Sequence, residues 1–420
     1  MATLKQAHGN WVCGKDRFWN RDAEVALFIR YLDEGASMYL VAQRRIGKTS
    51  LMREVSRRID QRYICLHIDL QDAGSAPDFV AALGAATYPH KSLWAKTKTV
   101  FGNVAALAGN VIESLQIQEI QLTIREGLLQ GNWETKGAQL LEALAASGQP
   151  VVIFMDEVPV MVNRILKGPE HELSEMTQEC IAATDAFMSW MRAQSIRHNG
   201  KVRFVLTGSI GFEPILRQAG LSATINNFRA FHLDPWSPET AIGCLQALAN
   251  CYGVDFQEGA RERVVERLGS CIPHHVQMYF GHIHEMCMKR GNRTCFAEDV
   301  DRVYEERMLS TRGHAELSTF EERLKMMVGR ATLPFVLDLL TEAAVVGQLT
   351  PSAIAVIQQE YGLAGRDAAD QTREVLEILE HDGYLKRGSG GFAFESKLLR
   401  DWWHRRFAAF GYTPALQRGA

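Results

Sequence analysis

The stretch "MYLVAQRRIGKTSLMREV", residues 38–55, constrains the fold more than any other part of this 420-residue chain. A short and mostly apolar run, typical of a buried strand, leads into a loop that ends in Gly47, Lys48 and Thr49, and a helical pattern follows. Glycine at position 47 allows a backbone conformation that a side chain would resist. The N–H groups of residues 45–50 then point outward at the positive end of a helix, where an anion such as phosphate binds.

The loop differs at one position from the usual phosphate-binding pattern G-x-x-x-x-G-K-[ST], because Ala42 stands where the first glycine is expected. That position only has to be small where the strand turns out of the sheet, and alanine is small. We therefore expect Lys48 to reach the β- and γ-phosphates of a nucleotide and the Thr49 hydroxyl to ligate Mg²⁺. The predicted nucleotide-binding residues of the loop are Ala42, Arg45, Ile46, Gly47, Lys48, Thr49 and Ser50.

A second apolar run, "PVVIFMDEVPVM" at residues 150–161, delivers two acids to the end of a predicted strand. Ligands of open α/β sheets lie at the carboxyl ends of the strands. Asp156 is predicted to hold the Mg²⁺ together with Thr49, and Glu157 to orient or deprotonate the attacking water. An acidic pair after a strand is often only a turn, but its place in the same predicted sheet as the loop favours the catalytic interpretation.

The run "KVRFVLTGSIG", residues 201–211, ends in hydroxyl-bearing side chains. Ser209 is a candidate catalytic residue that would sense the γ-phosphate or the attacking water, and Thr207 cannot be separated from it by sequence. The alternative for both is a turn or a helix cap. Arg217 and Arg229 follow, and either could stabilise the charge of the transition state, within its own chain or from a neighbouring subunit.

Apolar strands separated by helical segments predict an α/β fold with a parallel sheet covered on both faces. The expected organisation is a P-loop ATPase domain at residues 1–235, a helical lid domain at 236–311 and a winged helix-turn-helix domain at 312–420. Residues 76–147 are predicted to be a mostly helical insertion within the first domain. Residues 112–126 of that insertion alternate in a way that also fits a hairpin.

The charge and the apolar content of the chain limit the kinds of partner that it is expected to bind. The net charge of −3 and the pI of about 6.5 give no polybasic signature of bulk nucleic-acid binding. Eight cysteines lie scattered without C-x-x-C spacing, which is typical of reduced thiols in a cytoplasmic protein. The most apolar run, residues 100–112, is too short to span a membrane, so no membrane partner is expected.

Five segments together resemble the archaeal-type ATPase family, in the AAA+/STAND branch of P-loop proteins. They are "FWNRDAEVALFIRYLDEG", "LVAQRRIGKTSLM", "VVIFMDEV", "FVLTGSIG" and "NNFRAFHLDPWSPETA". The resemblance covers roughly residues 15–290, and the tail "FAFESKLLRDWWHRRF" is similar to the end of the winged-helix domain that such proteins carry.

This resemblance implies roles for residues that the strand ends do not supply. Asn20 and Arg21 would lie near the adenine and the ribose. Arg229 matches the arginine that precedes an L-x-P-x-S strand in the family, so it outranks Arg217 as the charge-stabilising residue. Pro273 would report the state of the nucleotide to the lid.

The lid also departs from the family pattern, because His274 and His275 stand where AAA+ relatives carry an arginine. That departure favours a slow ATPase over fast hydrolysis. The expected protein is a switch that binds ATP or ADP with Mg²⁺. Its nucleotide state would control self-association or engagement of a protein partner, in a regulatory or defence-type setting.

Two alternatives stay open at this point. One is a DNA-binding AAA+ ATPase, a loader or transposition-type helper that acts through its winged helix. Charge weakens it, since residues 366–380 carry two arginines against five acids, although Lys386 and Arg387 of the predicted wing are basic. The other is a nucleotide-binding scaffold that never hydrolyses its ligand.

Overall fold

A computed structural model describes residues 4–7, 11–102, 113–128, 131–168, 176–310, 314–409 and 411–418. The chain divides into two compact units. The first comprises Met1–Arg21, Ala42–Ser50 and Leu233–Ala420, and the second comprises Asp22–Val41 and Leu51–His232. Residues 103–112 of the apolar run lie outside the described residues, and within the described residues no helix is both long and apolar enough to cross a membrane.

The strands, in chain order, are β1 Met38–Val41, β2 Ile64–Asp69, β3 Val151–Asp156, β4 Val202–Leu206, β5 Arg229–His232, β6 Asp255–Phe256, β7 Thr294–Cys295, β8 Leu385–Gly388 and β9 Gly391–Phe394. The helices before residue 233 are α1 Asp22–Asp33, α2 Lys48–Ile59, α3 Ala76–Ala86, α4 Lys91–Val100, α5 Glu113–Glu126, α6 Trp133–Ala145, α7 Val158–Lys167, α8 Gln178–Arg197 and α9 Phe212–Gln218. The later helices are α10 Pro238–Tyr252, α11 Ala260–Leu268, α12 Pro273–Arg290, α13 Ala297–Val303, α14 His314–Val346, α15 Pro351–Glu360, α16 Gly365–His381, α17 Lys397–Trp403 and α18 Ala415–Arg418.

The second unit is built on a five-stranded sheet in the order β2-β3-β4-β1-β5. All neighbouring strands are parallel, with Met155 in register with Leu206 and Val41 with His232. Strands β3 and β4 are almost wholly buried, as expected for a parallel sheet with both faces covered. The α/β fold class predicted from the sequence is therefore confirmed. Because the strands are parallel, all of them end at one edge of the sheet, here called the carboxyl edge; the other is the amino edge.

The second unit also contains the helices of the predicted insertion. Residues 113–126 form helix α5, so the hairpin alternative for 112–126 was wrong. Ile120, Ile124 and Leu128 recur at four-residue spacing and are all buried, which is the periodicity of a helix with one packed face. Ile124 lies so close to Gly84 of α3 that a Cβ on that glycine would overlap its side chain.

The first unit has its own apolar core, contributed by the helices from α10 to α18 and by Leu4. Helices α15 and α16 are followed by the antiparallel hairpin β8–β9, in which Leu385 pairs with Phe394. This is the element order expected for a winged helix, and the assignment as a winged-helix domain stays a prediction. The division at residues 235 and 311 likewise stays a prediction, since the core of the first unit is continuous across residue 311.

Candidate functional site

The loop between β1 and α2 is curled around the side chain of Lys48. This lysine is the first residue of α2, is 8% exposed, and donates from Nζ to the carbonyl oxygens of Ala42 and Gln43 at 2.9 and 2.8 Å. The backbone at Arg45 (φ 64°) and Gly47 (φ 100°) is left-handed, which turns the chain tightly before the helix. A Cβ at position 47 would meet no atom within 4 Å, so the glycine is required for its conformation and not for space.

Backbone strain in the described residues falls on the segments that the sequence assigns to the site. Positive φ values at non-glycine residues occur at Asn20 (40°), Arg45 (64°) and Glu157 (60°). Such conformations cost about 1–3 kcal/mol each and concentrate at functional sites. The strain therefore supports the sequence-based choice of these three segments independently of any motif.

Glu157 lies just past the end of β3, at the N-terminal cap of α7. Ser209 holds its carboxylate, donating to Oε2 from its backbone nitrogen at 2.9 Å and from its hydroxyl at 2.6 Å. The backbone nitrogen of Glu157 in turn donates to Oδ1 of Asp156 at 3.1 Å. The left-handed backbone and the two donors of Ser209 thus fix the direction of the Glu157 side chain at the carboxyl edge.

The segment after β4 lies directly against the start of α7. A Cβ on Gly208 would overlap the ring of Pro159, so only glycine fits there. Thr207 donates its backbone N–H to Met155 and accepts from Val158, which extends the β3–β4 pairing past the strand ends. Its side chain is 2% exposed, and its hydroxyl has no hydrogen-bond partner among the described residues. A buried hydroxyl in that state costs about 1–3 kcal/mol unless a bound molecule satisfies it.

The structure gives the two hydroxyl-bearing residues different surroundings. Ser209 donates to Glu157, whereas the Thr207 hydroxyl has no hydrogen-bond partner among the described residues. Which of the two senses a phosphate or the attacking water stays a prediction.

Comparison with known proteins gives one informative likeness. No protein-family model matches the sequence, and no curated protein matches it. Among solved structures, a Walker-type ATPase of Pyrococcus abyssi aligns over 94% of this chain and 98% of its own, with 15% identity and a TM-score of 0.58. This chain has the fold of a Walker-type P-loop ATPase.

Two further structures align over most of the chain with lower scores. The ADP form of Aeropyrum pernix ORC2 covers 97% of this chain and 100% of its own at 14% identity, with a TM-score of 0.48. The Thermotoga maritima RuvB Holliday junction branch migration motor covers 89% and 90% at 12% identity, with a TM-score of 0.41. Neither adds to the fold shown by the Pyrococcus protein.

In this P-loop fold, Arg229 lies at the amino edge. It is the first residue of β5, in register with Met38, the first residue of β1. Its guanidinium carbon is 3.5 Å from the ring centroid of Tyr31, and Nη1 lies 3.4 Å from Oε2 of Glu34. Asp156 ends its strand at the opposite edge of the sheet, and the role of Arg229 on a phosphate stays a prediction. Arg217 lies in α9, which follows β4, and is exposed.

The segment predicted to contact the base is anchored within the first unit. The backbone nitrogen of Val12 donates to the Ser50 hydroxyl at 2.9 Å. Further along, Arg21 is 6% exposed and donates to the carbonyl oxygen of Asp234 at 2.8 Å, and Asn20 donates to the Thr240 hydroxyl at 3.0 Å. The segment therefore runs from the start of α2 to the start of α10, and its contacts with adenine and ribose stay predictions.

The lid residues occupy the start of α12. Pro273 is the first residue of this helix and is buried, and His275 is 2% exposed. Proline at this position pre-sets the helical φ angle and removes an N–H that would have no partner in the helix. Its proposed role as a reporter of the nucleotide state stays a prediction.

The two side chains that the sequence predicts as Mg²⁺ ligands are a hydroxyl and a carboxylate. Thr49 is the second residue of α2 and offers a hydroxyl, and Asp156 offers a carboxylate at the end of β3. Within the described parts of the chain, no group of three or more histidine, cysteine, aspartate or glutamate side chains forms a metal cage. Mg²⁺ is usually held by one or two protein oxygens together with water and substrate phosphates.

The sequence analysis did not select Gln43 of the loop or the residue that its side chain contacts. Gln43 donates from Nε2 to the carboxylate of Glu395, a residue 352 positions later in the sequence. No local pattern signals a pair this far apart.

Proposed function

We propose that this protein is a Mg²⁺-dependent ATPase that works as a slow switch, with its nucleotide state controlling self-association or engagement of a protein partner. The observation that carries the proposal is Glu157, held in a strained left-handed conformation at the end of β3 with its carboxylate fixed by Ser209. A position whose backbone costs free energy and whose side chain is aimed by a second residue is typical of a catalytic group.

Each site residue has a distinct task in this proposal. Lys48 binds the β- and γ-phosphates, and the loop N–H groups bind them at the positive end of α2. Thr49 and Asp156 hold Mg²⁺, which neutralises phosphate charge. Glu157 orients the attacking water and accepts its proton.

The contact between Ser209 and Glu157 orients the carboxylate without using both of its oxygens. Both hydrogen bonds from Ser209 end on Oε2, so the proposal places the attacking water on Oε1 of the same carboxylate. The slow rate rests on the sequence, in which His274 and His275 stand where AAA+ relatives carry a lid arginine.

Self-association is supported by the place of Arg229. Its side chain is 47% exposed at the amino edge, which leaves it accessible to a neighbouring subunit. We propose that it acts across subunits. Asn20, Arg21 and Pro273 retain their proposed roles at the base, the ribose and the lid.

The experiment is particle mass by light scattering without nucleotide, with ADP, and with ATP plus Mg²⁺, for the wild type and Glu157→Gln. The proposal expects growth of the particle with ATP only, and a longer-lived large form in Glu157→Gln because hydrolysis is blocked. Lys48→Ala is the control that should stay small in every condition. An unchanged wild-type mass in all three conditions would remove self-association and leave partner engagement.

A second candidate, a DNA-acting ATPase, is favoured by the exposure of Lys386 and Arg387 on β8. The charge of α16 weakens this candidate, because the exposed residues of that helix include the two arginines 366 and 373 and the three acids 370, 374 and 380. Salt-sensitive binding of duplex DNA that is lost in Lys386→Glu/Arg387→Glu would support this candidate. Equal binding by that variant would exclude the wing as the DNA contact.

A further inference from the structure

The side chain of Gln43 extends from the phosphate loop to the C-terminal hairpin region. It lies between Gly383 and Glu395, and this position is here called the seat. Nε2 of Gln43 donates to the carboxylate of Glu395, which follows β9. On its other side is Gly383, where a Cβ would overlap the Gln43 side chain. Gly383 also has a φ of 77°, so both its backbone conformation and its neighbour require glycine. All of these residues belong to the first unit.

This seat is rigid. The backbone nitrogen of Glu395 donates to the carbonyl oxygen of Tyr384 at 3.1 Å, which ties the two sides of the seat together. Tyr384 is 1% exposed, and its hydroxyl donates to the carbonyl oxygen of Phe320 in α14 at 2.7 Å. Gln43 therefore contacts a part of the hairpin that is anchored in the core of the first unit.

The surroundings of Glu395 disfavour the ionised form of its carboxyl group. Burial raises the pKa of its carboxyl group, and the nearby Asp234 raises that pKa further. The contacts that oppose this rise are the charge of Lys386 and the hydrogen bond from Gln43. A carboxyl group kept in a half-buried position by a neutral amide is more costly than an apolar contact of the same size.

The backbone of Gln43 is part of the phosphate loop and contacts Lys48. Its carbonyl oxygen, together with that of Ala42, accepts a hydrogen bond from Nζ of Lys48. One residue thus joins the phosphate-binding lysine to the hairpin through two bonds, one from its main chain and one from its side chain.

We propose that Glu395 is a positioning residue of the phosphate loop, which holds Gln43 so that the Gln43 carbonyl orients Lys48 for the nucleotide. The inference rests on the proposed function, since it assigns regulation to the same nucleotide site. Coupling between two equilibria is reciprocal. The nucleotide therefore stabilises the docking of residues 383–395 on the loop, and movement of this segment weakens the hold on the nucleotide.

The test exchanges donor and acceptor within the pair. Gln43→Glu places two carboxylates in contact and should weaken Mg²⁺-ATP binding roughly tenfold, the loss typical of an outer-shell partner. Glu395→Gln keeps a carbonyl oxygen that can accept from Gln43 but loses the charge that strengthens this bond, so its affinity should fall by less than that of Gln43→Glu. The double variant Gln43→Glu/Glu395→Gln restores a donor facing an acceptor and should recover most of the loss.

A matched control lies elsewhere in the first unit, where Gln257 donates from Nε2 to Asp255 at 2.9 Å. Gln257→Glu creates the same carboxylate contact far along the sequence from the loop, and it should leave Mg²⁺-ATP affinity unchanged. Urea unfolding without nucleotide, run on all variants, measures how much the Gln43–Glu395 pair contributes to stability alone.

Amide hydrogen exchange distinguishes coupling to the nucleotide from a packing contact, because packing alone would not make the exchange of β8 and β9 depend on Mg²⁺-ATP. Mg²⁺-ATP should slow exchange in β8 and β9 of the wild type and of the double variant, but much less in Gln43→Glu. A loss of stability in Gln43→Glu with unchanged affinity and unchanged nucleotide protection would overturn the inference and leave a structural contact. A double variant no better than Gln43→Glu would overturn it as well. A folded wild type that binds no nucleotide would refute the proposed function itself, which the other outcomes leave standing.

Discussion

Arg203 at the amino edge of the parallel sheet and residues 157 and 207 at its carboxyl edge differ in how their polar groups are satisfied. Arg203 is 5% exposed, and its guanidinium donates to the carbonyl oxygens of Leu32 and Gly200 at 2.6 and 3.0 Å and lies over the ring of Tyr63. At the carboxyl edge, Glu157 has a strained backbone and the Thr207 hydroxyl has no partner among the described residues. This difference is what the proposed function expects if Arg203 stabilises the fold and the carboxyl edge serves a ligand.

The largest expected effect concerns turnover at the carboxyl edge. Glu157→Gln keeps the shape of the side chain and removes the base, so ATP hydrolysis should fall at least about 100-fold. Mg²⁺-ATP affinity should change little, because the amide still accepts from Ser209. Turnover is measured by phosphate release under saturating ATP. Equal turnover in both proteins would show that Glu157 is not the base, and no phosphate release by either would show a non-hydrolysing scaffold.

At the amino edge the large effect should be on stability. Arg203→Met leaves the carbonyl oxygens of Leu32 and Gly200 without this donor and should lower the free energy of unfolding by about 2 kcal/mol. Turnover per folded molecule should stay at the wild-type level. Urea unfolding and phosphate release on the same preparation check both halves. A specific loss of turnover would show that the amino edge also contributes to catalysis.

Thr207→Val tests the difference between the two edges at a single hydroxyl group. The replacement has nearly the same shape and removes a buried group without a partner, so stability should stay equal or rise slightly. Turnover should nevertheless fall about tenfold if this hydroxyl acts on the bound phosphate or water. Ser209→Ala is the companion variant, in which turnover should fall because Glu157 loses the hydroxyl donor and keeps only the backbone donor. A clear loss of stability in Thr207→Val would mean that the hydroxyl is satisfied within the fold.

A pH effect is expected between the two edges, on β2. His67 stacks on Phe154 with 4.8 Å between ring centroids, and burial, with a smaller effect of Arg53, lowers the pKa of His67 to about 3. The unfolded chain takes up a proton near pH 6.5 while the folded chain does not. Stability should therefore be full above pH 6.5 and fall by roughly 1 kcal/mol per pH unit as the pH drops from 6.5 toward 3.

The check for this effect is urea unfolding at pH 7.5, 6.0 and 5.0, with His67→Gln as the variant. Glutamine can still contact the Ser56 hydroxyl, which lies 3.1 Å from Nε2 of the histidine. The variant should lose the slope between pH 6.5 and 5. An equal slope in both proteins would assign it to other groups.

The smallest effect concerns Arg229. Its contacts with Tyr31 and Glu34 are partly exposed, so Arg229→Ala should cost less than about 1 kcal/mol of stability. If the residue acts across subunits, turnover should fall at concentrations where the protein assembles and stay unchanged in the dilute protein. Turnover measured across a dilution series separates the two. A loss at every concentration would contradict its place at the amino edge.

What the sequence could predict follows from how local each signal is. The phosphate loop and the acids after β3 are contiguous strand-to-loop patterns, so Lys48 and Glu157 could be selected without the fold. The edge at which Arg229 lies depends on β5 pairing parallel to β1, and the sequence around residue 229 does not show this register. The partners of Thr207 and Ser209 are visible only in the structure, and the contact of Gln43 with Glu395 joins two segments 352 residues apart.

Calorimetric titration of Mg²⁺-ATP into Glu157→Gln tests most directly the central claim that the carboxyl edge serves a nucleotide. The variant removes hydrolysis from the signal, and Lys48→Ala provides the matched chain without the phosphate-binding ammonium. The account predicts one saturable site per chain in Glu157→Gln and at least about a tenfold weaker interaction in Lys48→Ala. Equal binding by both variants, or none by a folded Glu157→Gln, would contradict it.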